Sequence, residues 1–168
     1  MYQVKIIADS ISQQAIRLLT YEVRFPRMVH QELLTHRVFS RNASSSRAIP
    51  VKKLTSAIRV DPAMPVHWGK NQPGMQAKEE CNELIRVPAY LRPALAQFFP
   101  EADGEFVTRE IWWRFGANLS CDICDGFADA GYHKQIANRQ AEHSQWISVV
   151  LSSTEWGNFF ELRDHEDA

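Results

Sequence analysis

The densest concentration of reactive side chains lies between Thr35 and Arg47, in the order Thr-His-Arg-Val-Phe-Ser-Arg-Asn-Ala-Ser-Ser-Ser-Arg. It holds Arg37, Arg41 and Arg47, together with His36, Asn42, Ser40, Ser44, Ser45 and Ser46. Such a set predicts an anion cradle. Guanidinium forks bind phosphate oxygens two at a time, and serine hydroxyls and unpaired backbone N–H groups add further donors. The competing reading is a solvated loop whose arginines pair with nearby carboxylates. An uninterrupted polar run between two apolar-flanked segments favours the phosphate-bearing ligand.

Two later stretches add to this chemistry. Trp146 to Arg163 ends Ser-Ser-Thr-Glu-Trp-Gly-Asn-Phe-Phe-Glu-Leu-Arg. On a helix, Thr154, Asn158 and Arg163 follow at steps of four and five, close to one flank, while Trp156, Phe159, Phe160 and Leu162 supply a buried side. The same pattern also describes an ordinary amphipathic helix. The cluster from His133 to Arg139 adds one more guanidinium, Arg139.

Other chemistries are excluded by what the sequence lacks. Neither the Walker phosphate loop nor the Gly-x-Gly-x-x-Gly turn occurs, so a nucleotide has to be held by arginine, serine and histidine. Cys121-x-x-Cys124 has zinc-like or redox-like spacing, but Cys81 and the six histidines complete no recognisable ligand set. We predict no metal site and read these cysteines as core or surface residues. No Gly-x-Ser-x-Gly elbow supports a serine hydrolase.

The positioning elements follow from period and punctuation. Tyr2–Ala8 predicts a strand, Asp9–Ser12 a turn, and the second half of Ala15–Phe25 a strand stopped by Pro26. Arg27–His36 predicts a short helix after that proline, Ser40–Arg47 a loop, and Val51–Val60 an amphipathic helix ended by Asp61-Pro62. Pro65–Gly74 is a connection, Met75–Ile85 reads as helical, and Arg86–Gly104 is unassigned. Phe106–Phe127 predicts a helix and Ala128–Gln140 a second one broken near Gly131. Trp146–Ser153 is a strand, and Thr154–Leu162 a helix with Ser153 or Thr154 near its N-cap. The sum is one α+β domain over residues 1–168, with a small, mainly antiparallel sheet flanked by helices.

Composition narrows the class further. The chain has 168 residues, 45% of them hydrophobic, and 19 basic against 20 acidic side chains, a formal charge of −1. This is the profile of a soluble globular protein. It argues against a nucleic-acid partner, which calls for a net basic stripe. Apolar runs such as Ile147–Leu151 fall far short of the ~20 residues of a membrane span. The N-terminus has no secretory pattern, and three cysteines are too few for a disulfide framework, so a cytoplasmic location is expected.

The His36–Arg47 segment resembles the signature of the flavin-dependent thymidylate synthases, the ThyX family. In that pattern Arg-His-Arg is followed, two residues on, by serine, then asparagine, then Ser-x-Arg. His36, Arg37, Ser40, Asn42, Ser45 and Arg47 fall in place. Lys134-Gln135-Ile136-Ala137-Asn138-Arg139 stands where a Lys-Glu-x-Ala-Arg element is expected. Asn158-Phe159-Phe160-Glu161-Leu162-Arg163 is similar to the family's Asn/His-Phe-x-x-Leu-Arg element.

The resemblance implies a ThyX-like mixed fold and reductive methylation of dUMP to dTMP. Methylenetetrahydrofolate is then the carbon donor, NADPH the reductant and FAD the hydride carrier. It implies Arg163 as the catalytic residue at the uracil ring, with Glu32, Ser45, Arg47 and Arg139 binding dUMP. Ser12, His36, Arg37, Asn42, Ser152, Thr154 and Asn158 are implied as FAD contacts, in a homotetramer with shared sites in a bacterial or phage-infected cell. Thr35, Ala43, Glu32 and Gln135 depart from the family pattern, as does Ser152-Ser153-Thr154, where Asn-Ala-Arg is usual. The pattern matches a divergent phage and bacterial branch, for which hydroxymethylation of dUMP is an alternative outcome. The chain stops at Ala168, where the family continues into a final helix, so an inactive, nucleotide-binding relative is a further alternative. A non-catalytic nucleotide- or RNA-binding module is the reading from another class.

Overall fold

The computed structural model describes residues 1–74, 77–102 and 104–164. Among the described residues, six strands and six α-helices follow one another as β1 (Gln3–Ile11), β2 (Arg17–Pro26), α1 (His30–Leu34), β3 (Ser40–Ala43), α2 (Val51–Val60), β4 (Ile85–Arg86), α3 (Arg92–Phe98), β5 (Phe106–Val107), α4 (Arg109–Asp129), α5 (Lys134–Ala137), β6 (Trp146–Ser153) and α6 (Gly157–Arg163). A four-stranded antiparallel sheet has the order β1-β2-β6-β3, and β4 with β5 forms a separate pair. The α+β expectation holds.

β6 organises the sheet because its apolar residues alternate. Ile147, Val149 and Leu151 are buried on one face, and they pack with Phe39, Val23, Phe25, Leu33, Trp156 and Phe159. A second core joins α2 to α4. Val51, Leu54 and Ile58 recur at helical spacing and meet Ala117, Cys121 and Cys124. Arg59 spans the same two helices with ion pairs to Asp122 and Asp125 at 2.6 and 2.8 Å. Val87, Leu95, Val107 and Phe115 make a third core under the β4–β5 pair.

The two cysteines of the Cys-x-x-Cys pair are core residues. Cys121 Sγ donates to the Thr55 carbonyl and Cys124 Sγ to that of Ala137. Burial pushes the Cys121 thiol up to about 12.

Several sequence expectations are corrected. Ser40–Ala43 is a strand, not part of a loop: β6 offers an open edge, and Ser40 pairs with Ser152 through to Ala43 with Val149. An edge strand exposed on both sides needs no apolar alternation, so the sequence carried no period. Likewise β1 runs through Asp9–Ile11, and the reversal falls at Ser12–Ile16, where Ser12 Oγ accepts from Ile16 N at 3.2 Å.

Within the segment read as a Met75–Ile85 helix, Met75 and Gln76 lie outside the described residues, and the rest is not helical. Bonds from Lys70 N to Glu79 O and Cys81 N to Trp68 O, both 2.8 Å, pair it with the preceding strand-like stretch instead. Arg27–His36 divides into a 3₁₀ turn at Arg27–Val29 and α1. Phe106 and Val107 belong to β5, and α4 begins after the cap Thr108. Ala128–Gln140 is not one helix: α4 ends at Asp129, Gly131 takes φ +85°, and α5 leads into a 3₁₀ segment, Asn138–Ser144. Thr154 lies before α6, because Ser153 Oγ accepts from Glu155 N and closes a turn there.

Candidate functional site

The sheet delivers the predicted residues to two places, one at each end of β3. At the first, α1 and α6 pack on the apolar face of the sheet through Leu33 and Phe159. His36 follows α1, and Arg163 is the last residue of α6. An Arg163 guanidinium nitrogen lies 2.9 Å from His36 Nε2. Guanidinium has no acceptor, so Nε2 accepts this bond and the imidazole is neutral, with its proton on Nδ1. Phe159 fixes both partners: its ring meets the His36 ring edge-on at 5.1 Å, and the Arg163 guanidinium sits 5.8 Å from its centroid. Burial first, and then the Arg163 charge, hold His36 below its ordinary value.

Glu32 and Arg163 share the wall of one cleft of about 180 Å³, with Phe25, Val29, Leu33 and Phe159. A cation and a carboxylate therefore stand around a recess lined by Phe25 and Phe159, with the neutral imidazole behind the cation. That arrangement can bind a planar ring with both donors and acceptors and stabilise negative charge on it. Beside it, Val4, Tyr21, Val23, Trp156, Phe159 and Phe160 line an apolar groove of about 300 Å³.

At the other end of β3, Ser44 to Ile49 is tied down almost carbonyl by carbonyl. Ser44 N donates to Ser148 O at 2.9 Å, and Ser148 N to Ser44 Oγ at 3.2 Å. Asn138 Nδ2 donates to the carbonyls of Ser46 and Ile49 at 2.8 and 2.9 Å. Lys134 Nζ donates to Ala48 O at 3.3 Å. Ser46 Oγ donates to Glu142, whose carboxylate also meets Arg27 at 3.5 Å. Ser45 and Arg47, by contrast, are exposed, as is Arg139 beside the buried Asn138. The backbone is held and the cationic side chains face outward, which is the arrangement of a preorganised anion site.

Among the remaining predicted residues, Arg37, Asn42 and Asn158 are exposed, and Thr154 is exposed in the turn ahead of α6. Ser152 Oγ is hydrogen-bonded to Thr20 Oγ1 at 2.8 Å, and Ser12 is occupied in the β1–β2 turn. Thus Glu32, His36 and Arg163 are brought together, and so are the segments carrying Ser45, Arg47 and Arg139. Within one chain the two groups lie beyond opposite ends of β3. Sequence reasoning missed Asn138, Glu142 and Arg27. The only signal for Asn138 was its place directly after Ala137, where the Lys-Glu-x-Ala-Arg element carries its arginine.

No protein-family model matches the sequence, and no curated protein matches it. Solved structures do. Thymidylate synthase X from Helicobacter pylori, solved with FAD and dUMP, superposes with a TM-score of 0.56 at 14% identity, over 100% of this chain and 86% of that one. A UMP/dUMP methylase, PolB from Streptomyces cacaoi, bound with 5-Br UMP, gives 0.52 at 13% identity, over 91% and 71%. Its complex with 5-Br dUMP gives 0.53 at 11% identity, over 91% and 73%. With its antiparallel sheet, flanking helices and the two cationic ends of β3, the chain has the fold shared by thymidylate synthase X and this methylase.

Proposed function

We propose that the chain is a flavin-dependent thymidylate synthase, which methylates dUMP reductively to dTMP with methylenetetrahydrofolate and NADPH. The observation that carries this reading is the Arg163–His36 pair beside Glu32 in an aromatic-walled cleft, joined by one short strand to the Arg47 and Arg139 segments. Arg163 and Glu32 hold the uracil edge. The fixed cation lowers the cost of negative charge on the ring, which makes carbon 5 more nucleophilic. Arg47, Arg139 and Ser45 hold the phosphate, and the carbonyls of Ser46, Ala48 and Ile49 are taken up by Asn138 and Lys134.

FAD fits the donors available. The neutral His36 keeps Nδ1–H as a donor, Arg37 offers a guanidinium for a pyrophosphate, and the Asn42 and Asn158 amides give and accept hydrogen bonds. Ser12 and Ser152 fit less well, because their hydroxyls are already bonded within the fold. Thr154 stands at the turn with its hydroxyl exposed. Bound and reduced by NADPH, the flavin supplies the hydride. A homotetramer with shared sites lets Arg163 of one copy meet Arg47 of another, so that groups beyond opposite ends of β3 can serve one nucleotide.

Reconstitution tests the reading. Purified protein incubated with FAD should turn yellow, and the flavin absorbance should shift when dUMP is added. Protein that stays colourless after incubation and gel filtration contradicts it.

A further inference from the structure

We propose that Asn138 is a positioning residue for the phosphate site, acting by clamping the main chain that carries Arg47. The proposal rests on the reading of Arg47 as a phosphate ligand and assigns the device that holds it.

Asn138 is fully buried; its Oδ1 meets no partner among the described residues, so the amide is held through its nitrogen alone. Its Nδ2 finds two partners, the carbonyls of Ser46 and Ile49, more than 85 positions away in the sequence. These carbonyls bracket the 3₁₀ turn Ser46–Ala48 that contains Arg47. Each amide hydrogen is thereby committed to one end of that turn. A side chain that closes both ends fixes the turn's φ and ψ, and hence the direction in which the Arg47 side chain leaves it.

The remaining contacts agree in kind. Ala48 O is held by Lys134, four residues before Asn138, and Ser46 Oγ by Glu142, four residues after it. One side of the α5–3₁₀ segment thus grips the turn at successive points, while Arg139 and Arg47 are both exposed. Ordering a free loop costs backbone entropy at every residue that is fixed. A turn already ordered by Asn138 does not incur that cost when the phosphate arrives, which is how a surface arginine becomes a tight ligand.

Asn138→Asp is the direct test. It preserves size and replaces the two donors with an acceptor facing two carbonyls. Binding of dUMP and of deoxyuridine, which lacks the phosphate, is to be measured by calorimetry for wild type, N138D, R47A and the double variant. With both clamping hydrogen bonds lost and the turn no longer preorganised, N138D should bind dUMP about tenfold more weakly. Deoxyuridine affinity should be unchanged, and N138D should add nothing in the R47A background.

A loss equal for dUMP and deoxyuridine, or one that persists in the R47A background, overturns the positioning role. If wild type itself does not distinguish the two ligands, it is the phosphate-site reading that fails instead. Should N138D not fold, Lys134→Met releases the Ala48 carbonyl from the exposed side. It should give the same phosphate-specific loss, about two- to fivefold at the lower end of one hydrogen bond. No loss in Lys134→Met, with dUMP still preferred over deoxyuridine, contradicts the clamp.

Discussion

Arg163 is the catalytic residue of the proposed reaction, and its contacts are few. It is exposed at the end of α6, and its hydrogen-bond partner is His36. Arg163→Ala should therefore leave the melting temperature within a degree or two while lowering turnover by at least about a hundredfold, the scale of losing one preorganised charge donor. Steady-state kinetics and thermal melting measured side by side check this. The same pair sets a pH dependence. His36 is held below its ordinary value, so the neutral ring is favoured by folding. Its stabilising contribution is complete above the unfolded value and is lost as the pH falls through the lower, folded one. Protonation also places a second cation against Arg163. Uracil-site affinity should thus decline on acidification below the ordinary histidine range. In R163A the His36 titration, followed by NMR, should move upward. An unchanged midpoint would separate the two residues.

At the scale of elements, periodicity and punctuation located some pieces to the residue and missed others for identifiable reasons. α2 and β6 were read with their observed bounds, because Val51, Leu54 and Ile58 and then Ile147, Val149 and Leu151 each bury one face. β3 was invisible, since its pairing partner lies more than 100 residues away and its own side chains are exposed, three of the four being polar. The Ala77–Leu84 stretch misled because its backbone bonds cross to the neighbouring 68–70 segment in a hairpin-like bridge rather than running within a helical turn. Of the site, the chemical types in Thr35–Arg47 and at Arg163 were legible. The clamp by Asn138 was not, because it consists of donations to main-chain carbonyls that no side-chain pattern announces.

Two further outcomes belong to this scale. Ala15 holds φ +62° in the β1–β2 turn. Ala15→Gly should relieve about 1 kcal/mol of steric cost there, read as a raised urea midpoint; no rise would mean that the entropy of glycine in the unfolded chain cancels it. In native protein a thiol reagent should modify Cys81 alone, since Cys121 and Cys124 are buried in the α2–α4 core, and all three cysteines after denaturation. Rapid native labelling of Cys121 would contradict the packing of that core.

For the whole molecule, the central question is how two cationic groups at opposite ends of β3 serve one nucleotide. Shared sites in an oligomer answer it, and inactive variants test that answer. R47A and R163A, each defective alone, should regain part of the activity when unfolded and refolded together, because some hybrid sites then contain both arginines. Absence of recovery, with hybrids demonstrated by native mass spectrometry, would place both arginines in the same chain's site. The most direct measurement is the mass of the nucleotide after dUMP has been incubated with the protein, FAD, NADPH and methylenetetrahydrofolate. The account predicts dUMP carrying one added methyl group. Addition of a hydroxymethyl group would contradict the reductive step, and unaltered dUMP would contradict the account as a whole.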